Sequence, residues 1–142
     1  MATIASAQAK VLRSLLQAAV TGNGDRMADL VTPDVIAWSP HLTIASRDDL
    51  VAAMAEQDDP FSGVDLQIRA IDQIGDKAIA EWHVAADHTG PLVLDDDVVI
   101  APTGRRVHLS GATVAEFDGD RICAFRNYFD DLAIVEQALA DG

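Results

Sequence analysis

Apolar residues recur at three- and four-residue steps through the first third of the chain and at two-residue steps through most of the rest. Between residues 4 and 20, Ile4, Ala7, Val11, Leu12, Leu15, Leu16 and Ala19 make one helical stripe, which needs a surface to pack on. Gly22-Asn23-Gly24 ends it, and Asp25 to Val31 reads as a second short helix stopped by a turn at Thr32-Pro33-Asp34. A strand follows at Val35 to Trp38. Ser46 with Asp49 has the form of a capping box for a helix from Asp48 to Gln57, closed by Asp58-Asp59-Pro60.

The period then changes. Val64, Leu66, Ile68 and Ala70 alternate with polar residues, as in a half-buried strand. Three further strands share that rhythm, with one face made by Ala78, Ala80, Trp82, Val84 and Ala86, another by Val107, Leu109, Gly111, Thr113, Ala115 and Phe117, and a third by Cys123, Phe125, Asn127 and Phe129. Asp118-Gly119-Asp120 is a hairpin turn between the last two, and Asp130 or Asp131 caps a final helix reaching about Leu139. Residues His88 to Thr103, with Gly90, Pro91 and Pro102, predict a loop overhanging a pocket. Helices followed by long antiparallel strands and a closing helix predict an α+β fold, one domain over residues 1–142 with helices covering one face of a curved sheet.

Composition agrees with one globular unit: 142 residues, 49% hydrophobic and 23% charged. Charge narrows the partners. Ten Lys plus Arg against 23 Asp plus Glu give a net charge of −13. Arg105-Arg106 is the only adjacent basic pair, so neither nucleic acid nor an anionic membrane surface is an expected partner. No apolar run reaches the roughly 18 to 20 residues of a membrane span, and the N-terminus lacks signal-peptide blocks, so a cytoplasmic location is expected. Cys123, the single cysteine, and four scattered histidines match no zinc spacing, so no metal or cofactor is expected.

The informative positions are polar residues on apolar faces. Asn127 shares a face with Phe125 and Phe129, where an unpaired amide costs about 1–3 kcal/mol. It serves either as a structural amide bonded to backbone or water, or as a ligand contact. Thr113 poses the same choice among Leu109, Gly111 and Ala115, and Gly111 would leave room for a ligand. Trp38 and Trp82 are either core or the walls of the same cavity, which together with Val84, Leu109 and Phe125 would give an aromatic-walled pocket with few polar anchors. His83 and His108 fall on the opposite face. Asp34, His41 and His88 are expected nearest the pocket mouth, with His88 and Asp34 the first candidates for a catalytic base. Cys123 reads as a small core residue.

The segments Asp87-His88-Thr89-Gly90-Pro91, Pro102-Thr103-Gly104-Arg105, Phe117-Asp118-Gly119-Asp120-Arg121-Ile122 and Arg126-Asn127-Tyr128-Phe129-Asp130 resemble the SnoaL-like polyketide cyclase family, within the superfamily named for nuclear transport factor two and ketosteroid isomerase. The resemblance extends over nearly the whole chain. It implies a cone: a strongly curved antiparallel sheet whose concave face is covered by three to four helices, dimerising through the outer sheet face. Here that face carries Ile79, Ala112, Val114, Ile122, Ala124 and Tyr128. The family's pocket His and its acid/base Asp correspond to Phe125 and Asn127. The superfamily's epoxide-hydrolase triad corresponds to Asn127, Trp82 and Val84, so neither mechanism transfers residue by residue.

Two functions from different classes follow. The first is a cofactor-independent enzyme acting on a small hydrophobic polycyclic or polyketide-like substrate, with Asn127 and Thr113 donating hydrogen bonds to a carbonyl oxygen and His88 or Asp34 as base. The second is a non-catalytic module of the same fold, which holds such a compound or serves only in dimerisation.

Overall fold

A computed structural model describes residues 7–40, 42–55, 60–95 and 98–139. Helix α1 (Ala7–Val20) follows the predicted stripe and buries Leu12, Leu15 and Leu16. Helix α2 (Gly24–Leu30) starts at Asn23, whose side-chain oxygen accepts the Arg26 N–H at 3.0 Å.

Strand β1 (Val31–Ser39) runs straight through Thr32-Pro33-Asp34, which the sequence predicts as a turn. The pairing of β1 slips between Val31 and Ile36, and Pro33, with no N–H to give, sits in that interruption. A short β2 (Leu42–Ile44), absent from the sequence expectation, folds back on β1. Helix α3 (Arg47–Ala55) opens as predicted: Ser46 Oγ accepts the Asp49 N–H at 3.1 Å, and Asp49 Oδ2 accepts the Ala45 N–H at 3.2 Å.

The two-residue rhythm yields β3 (Phe61–Ile74) and β4 (Lys77–His88). A small hairpin of β5 (Leu92–Asp95) and β6 (Val98–Ile100) lies within the stretch predicted as loop. Next come β7 (Arg106–Asp118), β8 (Arg121–Phe129) and helix α4 (Asp131–Leu139). Gly119, at φ 64, makes the β7–β8 turn, and Asp130 caps α4 by accepting the Leu132 N–H at 3.1 Å. No helix among the described residues is long and apolar enough to cross a membrane.

The main sheet has the order β2-β1-β8-β7-β4-β3. It is mixed, not wholly antiparallel as predicted, because β1 lies parallel to β8. No hairpin joins those two strands, so no turn dictates their relative direction. Helices α1, α2 and α3 cover one face, and their Leu12, Leu15, Met27, Leu30 and Leu50 share the core with Val35, Ala80, Phe117 and Phe125 of the strands.

One register detail overturns an expected face. The β7–β8 ladder shifts between Glu116 and Phe117, pairing Glu116 with Ala124 and Phe117 with Ile122, so Cys123 is the extra residue of a bulge. Ile122 is therefore fully buried in the core and not on the outer face. Cys123 is only half-buried, its Sγ donating to the Glu116 carbonyl at 3.5 Å, and burial pushes its thiol pKa up.

Candidate functional site

The antiparallel registers order the concave face into rows. Ala86 pairs with Val107 and Val84 with Leu109; next Trp82 pairs with Gly111, which pairs with Phe129; then Ala80 pairs with Thr113, which pairs with Asn127. The first two rows form an open end, and the last two a closed one.

At the open end lies a cavity of about 180 Å³ lined by Ala19 and Val20 of α1, Phe61 and Val64 of β3, Val84 and Ala86 of β4, Val107 and Leu109 of β7, and Ile134 of α4. Every lining side chain is apolar. Two of them, Val84 and Leu109, are among the predicted ligand contacts. Phe61, Val64 and the helix residues were not predicted, because the helices' position over this end of the sheet is not written in any local pattern. Gln137 of α4 fastens that helix here: its Oε1 accepts the His108 N–H at 2.7 Å and its Nε2 donates to the His108 carbonyl at 2.7 Å. It occupies the edge of β7 beyond the end of β8.

The next row is plugged. A Cβ built on Gly111 would meet Trp82 Cη2 and Cζ2 at 2.5 Å and the Tyr128 carbonyl at 2.7 Å. The glycine thus makes room for the indole and not for a ligand, as the sequence suggested. Phe129 closes against the same ring, with centroids 6.2 Å apart.

Behind the indole runs a hydrogen-bond relay whose direction is fixed. The indole is a donor only, so Trp82 Nε1–H donates to Thr113 Oγ1 at 3.0 Å, and the Thr113 hydroxyl donates onward to Asn127 Oδ1 at 2.6 Å. Thr113, fully buried, is spent on this relay and has no proton left for a ligand. Asn127 is half-buried, and its NH2 donates no hydrogen bond among the described residues. It lies on the predicted face, but Thr113 and Leu109 are four residues apart, roughly 14 Å at about 3.4 Å per residue. The Trp82–Gly111–Phe129 row stands between the amide and the apolar cavity. Phe125, one row deeper, belongs to the core.

His88 is not in a loop. It ends β4 on the same face as Val84 and Ala86, fully buried and directly across the ladder from Phe61. Its ring centre is 5.8 Å from that of Phe61. Thr103 Oγ1 accepts the Arg105 N–H at 3.2 Å and lies 3.0 Å from His88 Nδ1, with which it can bond as donor or as acceptor. The Thr103 backbone N–H, a donor only, points at Nδ1 at 3.4 Å and makes Nδ1 the acceptor. With Nδ1 accepting, the ring proton sits on Nε2. Nε2 is buried and has no hydrogen-bond partner among the described residues, a state that costs about 1–3 kcal/mol. In this arrangement His88 donates and does not act as a base.

Two other predicted residues lie elsewhere. Trp38 is 43% exposed on the outer face, its ring 5.4 Å from that of the equally exposed Tyr128, because Ala37 pairs with the core residue Phe125 and the alternation of β1 leaves Val35 and Ala37 facing the core. With Ile36, Thr43, Ala45 and Arg126 it lines a separate apolar groove of about 340 Å³. Asp34 is exposed at the far end of the sheet: neighbouring Ile36 pairs with Ala124 and so with Glu116, roughly 24 Å from Leu109 at about 3.4 Å per residue. It is not at the cavity mouth. His41 lies outside the described residues. No group of three or more His, Cys, Asp or Glu among the described residues could hold a metal.

On the outer face, His83 and His108 sit as predicted, with His83 Nε2 3.2 Å from His108 Nδ1 and His83 Nδ1 2.9 Å from Ser110 Oγ. Arg126 donates to Glu116 at 2.7 Å and holds that carboxyl below its ordinary pKa.

Comparison with solved structures gives the same fold at low identity. TsrD from Streptomyces laurentii superposes with a TM-score of 0.78 at 16% identity, covering 98% of this chain and 99% of that one. A protein named as a SnoaL-like polyketide cyclase from a Jannaschia species gives 0.77 at 14% identity over 100% of both chains. An LEH-like epoxide hydrolase from M. tuberculosis gives 0.70 at 17% identity, covering 94% of this chain and 90% of that one. At such identities the likeness establishes the fold alone. No curated protein matches. The SnoaL-like domain model matches residues 12–125, most of the sheet with the helices that cover it, and the chain belongs to that family.

Proposed function

We propose that the chain binds a small hydrophobic compound, without a cofactor, in the cavity at the open end of the concave face. One observation carries this reading: the cavity wall, drawn from α1, β3, β4, β7 and α4, is unbroken by any polar side chain. Size restricts the guest. A dry cavity of about 150 Å³ accommodates benzene, whereas sites for drug-sized molecules run to roughly 300–1,000 Å³. A volume of about 180 Å³ therefore suits a single ring, or the ring-sized end of a larger polyketide-like molecule that projects through the opening.

A second reading, a cyclase-like enzyme working by acid–base chemistry, draws support from the family and from the description of the Jannaschia relative. The local chemistry favours it less. Position 127 carries an amide, His88 is arranged to donate, and Asp34 lies at the other end of the sheet.

The two readings separate in one experiment. Single-ring ketones and phenols are screened by saturation-transfer NMR, and each bound compound is then followed for product by mass spectrometry. Binding that disappears in Leu109→Trp, with an unchanged circular dichroism spectrum, supports the cavity. Binding unaffected by Leu109→Trp overturns it. Product that depends on Asn127 would move the account to the enzyme.

Self-association is a further part of the proposal. Ile36, Trp38 and Tyr128 are 58%, 43% and 47% exposed on the outer face, an apolar area that suits a homodimer. Sedimentation of Trp38→Glu beside the unaltered protein tests it: a dimer that becomes a monomer supports it, and a monomer in both rejects it.

A further inference from the structure

The apolar cavity has a hidden polar neighbour. His88 follows Ala86 on the same face and lies across the ladder from Phe61, and both of those residues line the cavity. Its Nδ1 is saturated by Thr103, and its Nε2–H is buried without a partner among the described residues. Buried N–H groups are nearly always satisfied, so an unpartnered one beside an apolar cavity is a place where a guest can supply the acceptor. The geometry points to His88 as the hydrogen-bond donor of the cavity, held in the Nε2–H tautomer by Thr103, for a guest that joins a ring-sized apolar body to an acceptor oxygen such as a carbonyl. This rests on the cavity reading above and adds to it the chemical class of the guest.

The half-buried Phe61 lines the cavity and pairs with His88 across the ladder, its ring 5.8 Å away, so its turning would bring the oxygen to Nε2. Thr103 acts through His88 and is a positioning residue. A cation with no lone pair, such as an ammonium, would face a donor and be rejected, whereas a ketone oxygen is accepted. The hydrocarbon of the same shape would fit the wall but leave Nε2–H unpaired.

The test uses three probes of one shape: acetophenone, ethylbenzene and 1-phenylethylamine. The full chain is expected to bind acetophenone about tenfold more tightly than ethylbenzene, the difference one hydrogen bond makes, and to bind the amine most weakly. His88→Leu should bring acetophenone and ethylbenzene to within about threefold of each other, while His88→Gln, which retains an N–H donor, should restore part of the preference. Thr103→Val, an exposed site that should fold, is expected to reduce the preference without changing ethylbenzene binding. A long-range nitrogen–proton NMR spectrum of the unliganded protein should show His88 protonated at Nε2 and bare at Nδ1, a reading that does not depend on any guest. Equal binding of ketone and hydrocarbon by the unaltered protein, or a proton on Nδ1, overturns the inference and leaves the cavity reading standing. Failure of all three probes to bind overturns the cavity reading, and the inference with it.

Discussion

The two ends of the concave face are built from the same strands and have opposite characters. Around Trp82, Gly111 and Thr113 the indole fills the space beside the glycine, and the relay satisfies the buried donors of Trp82 and Thr113 by ending on Asn127 Oδ1. Around Val84, Leu109 and Phe61 lies a cavity, and His88 Nε2 beside it has no hydrogen-bond partner among the described residues. Tight packing with satisfied polar groups is how a protein stabilises itself, and a void with an unsatisfied donor persists only where something else is gained. The difference teaches which of the polar residues on this face belong to the fold and which are available to a guest.

Substitutions that unpack the closed end should therefore cost the most. Trp82→Ala is expected to lower the unfolding free energy by about 3–5 kcal/mol in urea titration, since it removes the plug and the hydrogen bond that the indole donates to Thr113. Gly111→Ala forces a methyl group against the indole and a backbone carbonyl and should cost about 2 kcal/mol by the same assay. Thr113→Val leaves the Trp82 N–H unpaired and should cost about 1–2 kcal/mol, with Thr113→Ser recovering most of it. Leu109→Ala, at the open end, enlarges a void that already exists and should cost only about 1 kcal/mol. If Leu109→Ala proved as costly as Trp82→Ala, the two ends would not differ as described.

The smallest effect lies outside both ends. Arg126 lowers the pKa of Glu116, so the pair stabilises the fold above the ordinary carboxyl value of 4.5 and that contribution fades as the pH falls through the lowered value. Both groups are about a third exposed, so the contribution is about 0.5 kcal/mol. Glu116→Gln should remove it at neutral pH and flatten the dependence of stability on pH below 4.5.

Much of the fold was legible in the sequence because the two hydrophobic periods are strong: α1, the capping box at Ser46 and Asp49, the β7–β8 hairpin and the faces of β4 and β7 all stand where the pattern puts them. What the pattern could not carry is register. A single extra residue at Cys123 exchanges it with Ile122, and the pairing of Ala37 with Phe125 puts Trp38 on the outer face. The site was legible in its ingredients and not in their grouping. Asn127, Thr113 and Trp82, expected with Trp38 to line one pocket, lie together without Trp38, and only side-chain geometry reveals that they bond to one another and that Gly111 serves the indole. The role of Thr103 in holding His88 depends on a contact across 15 residues, for which the local sequence has no signal.

The most direct test of the central claim is a two-dimensional amide NMR titration of the full chain with acetophenone. Saturable shifts confined to the backbone around Val84, Ala86, Val107 and Leu109 are the predicted result. Shifts gathered instead around Trp38 and Tyr128 on the outer face, or no shift up to the solubility of the probe, would contradict the account.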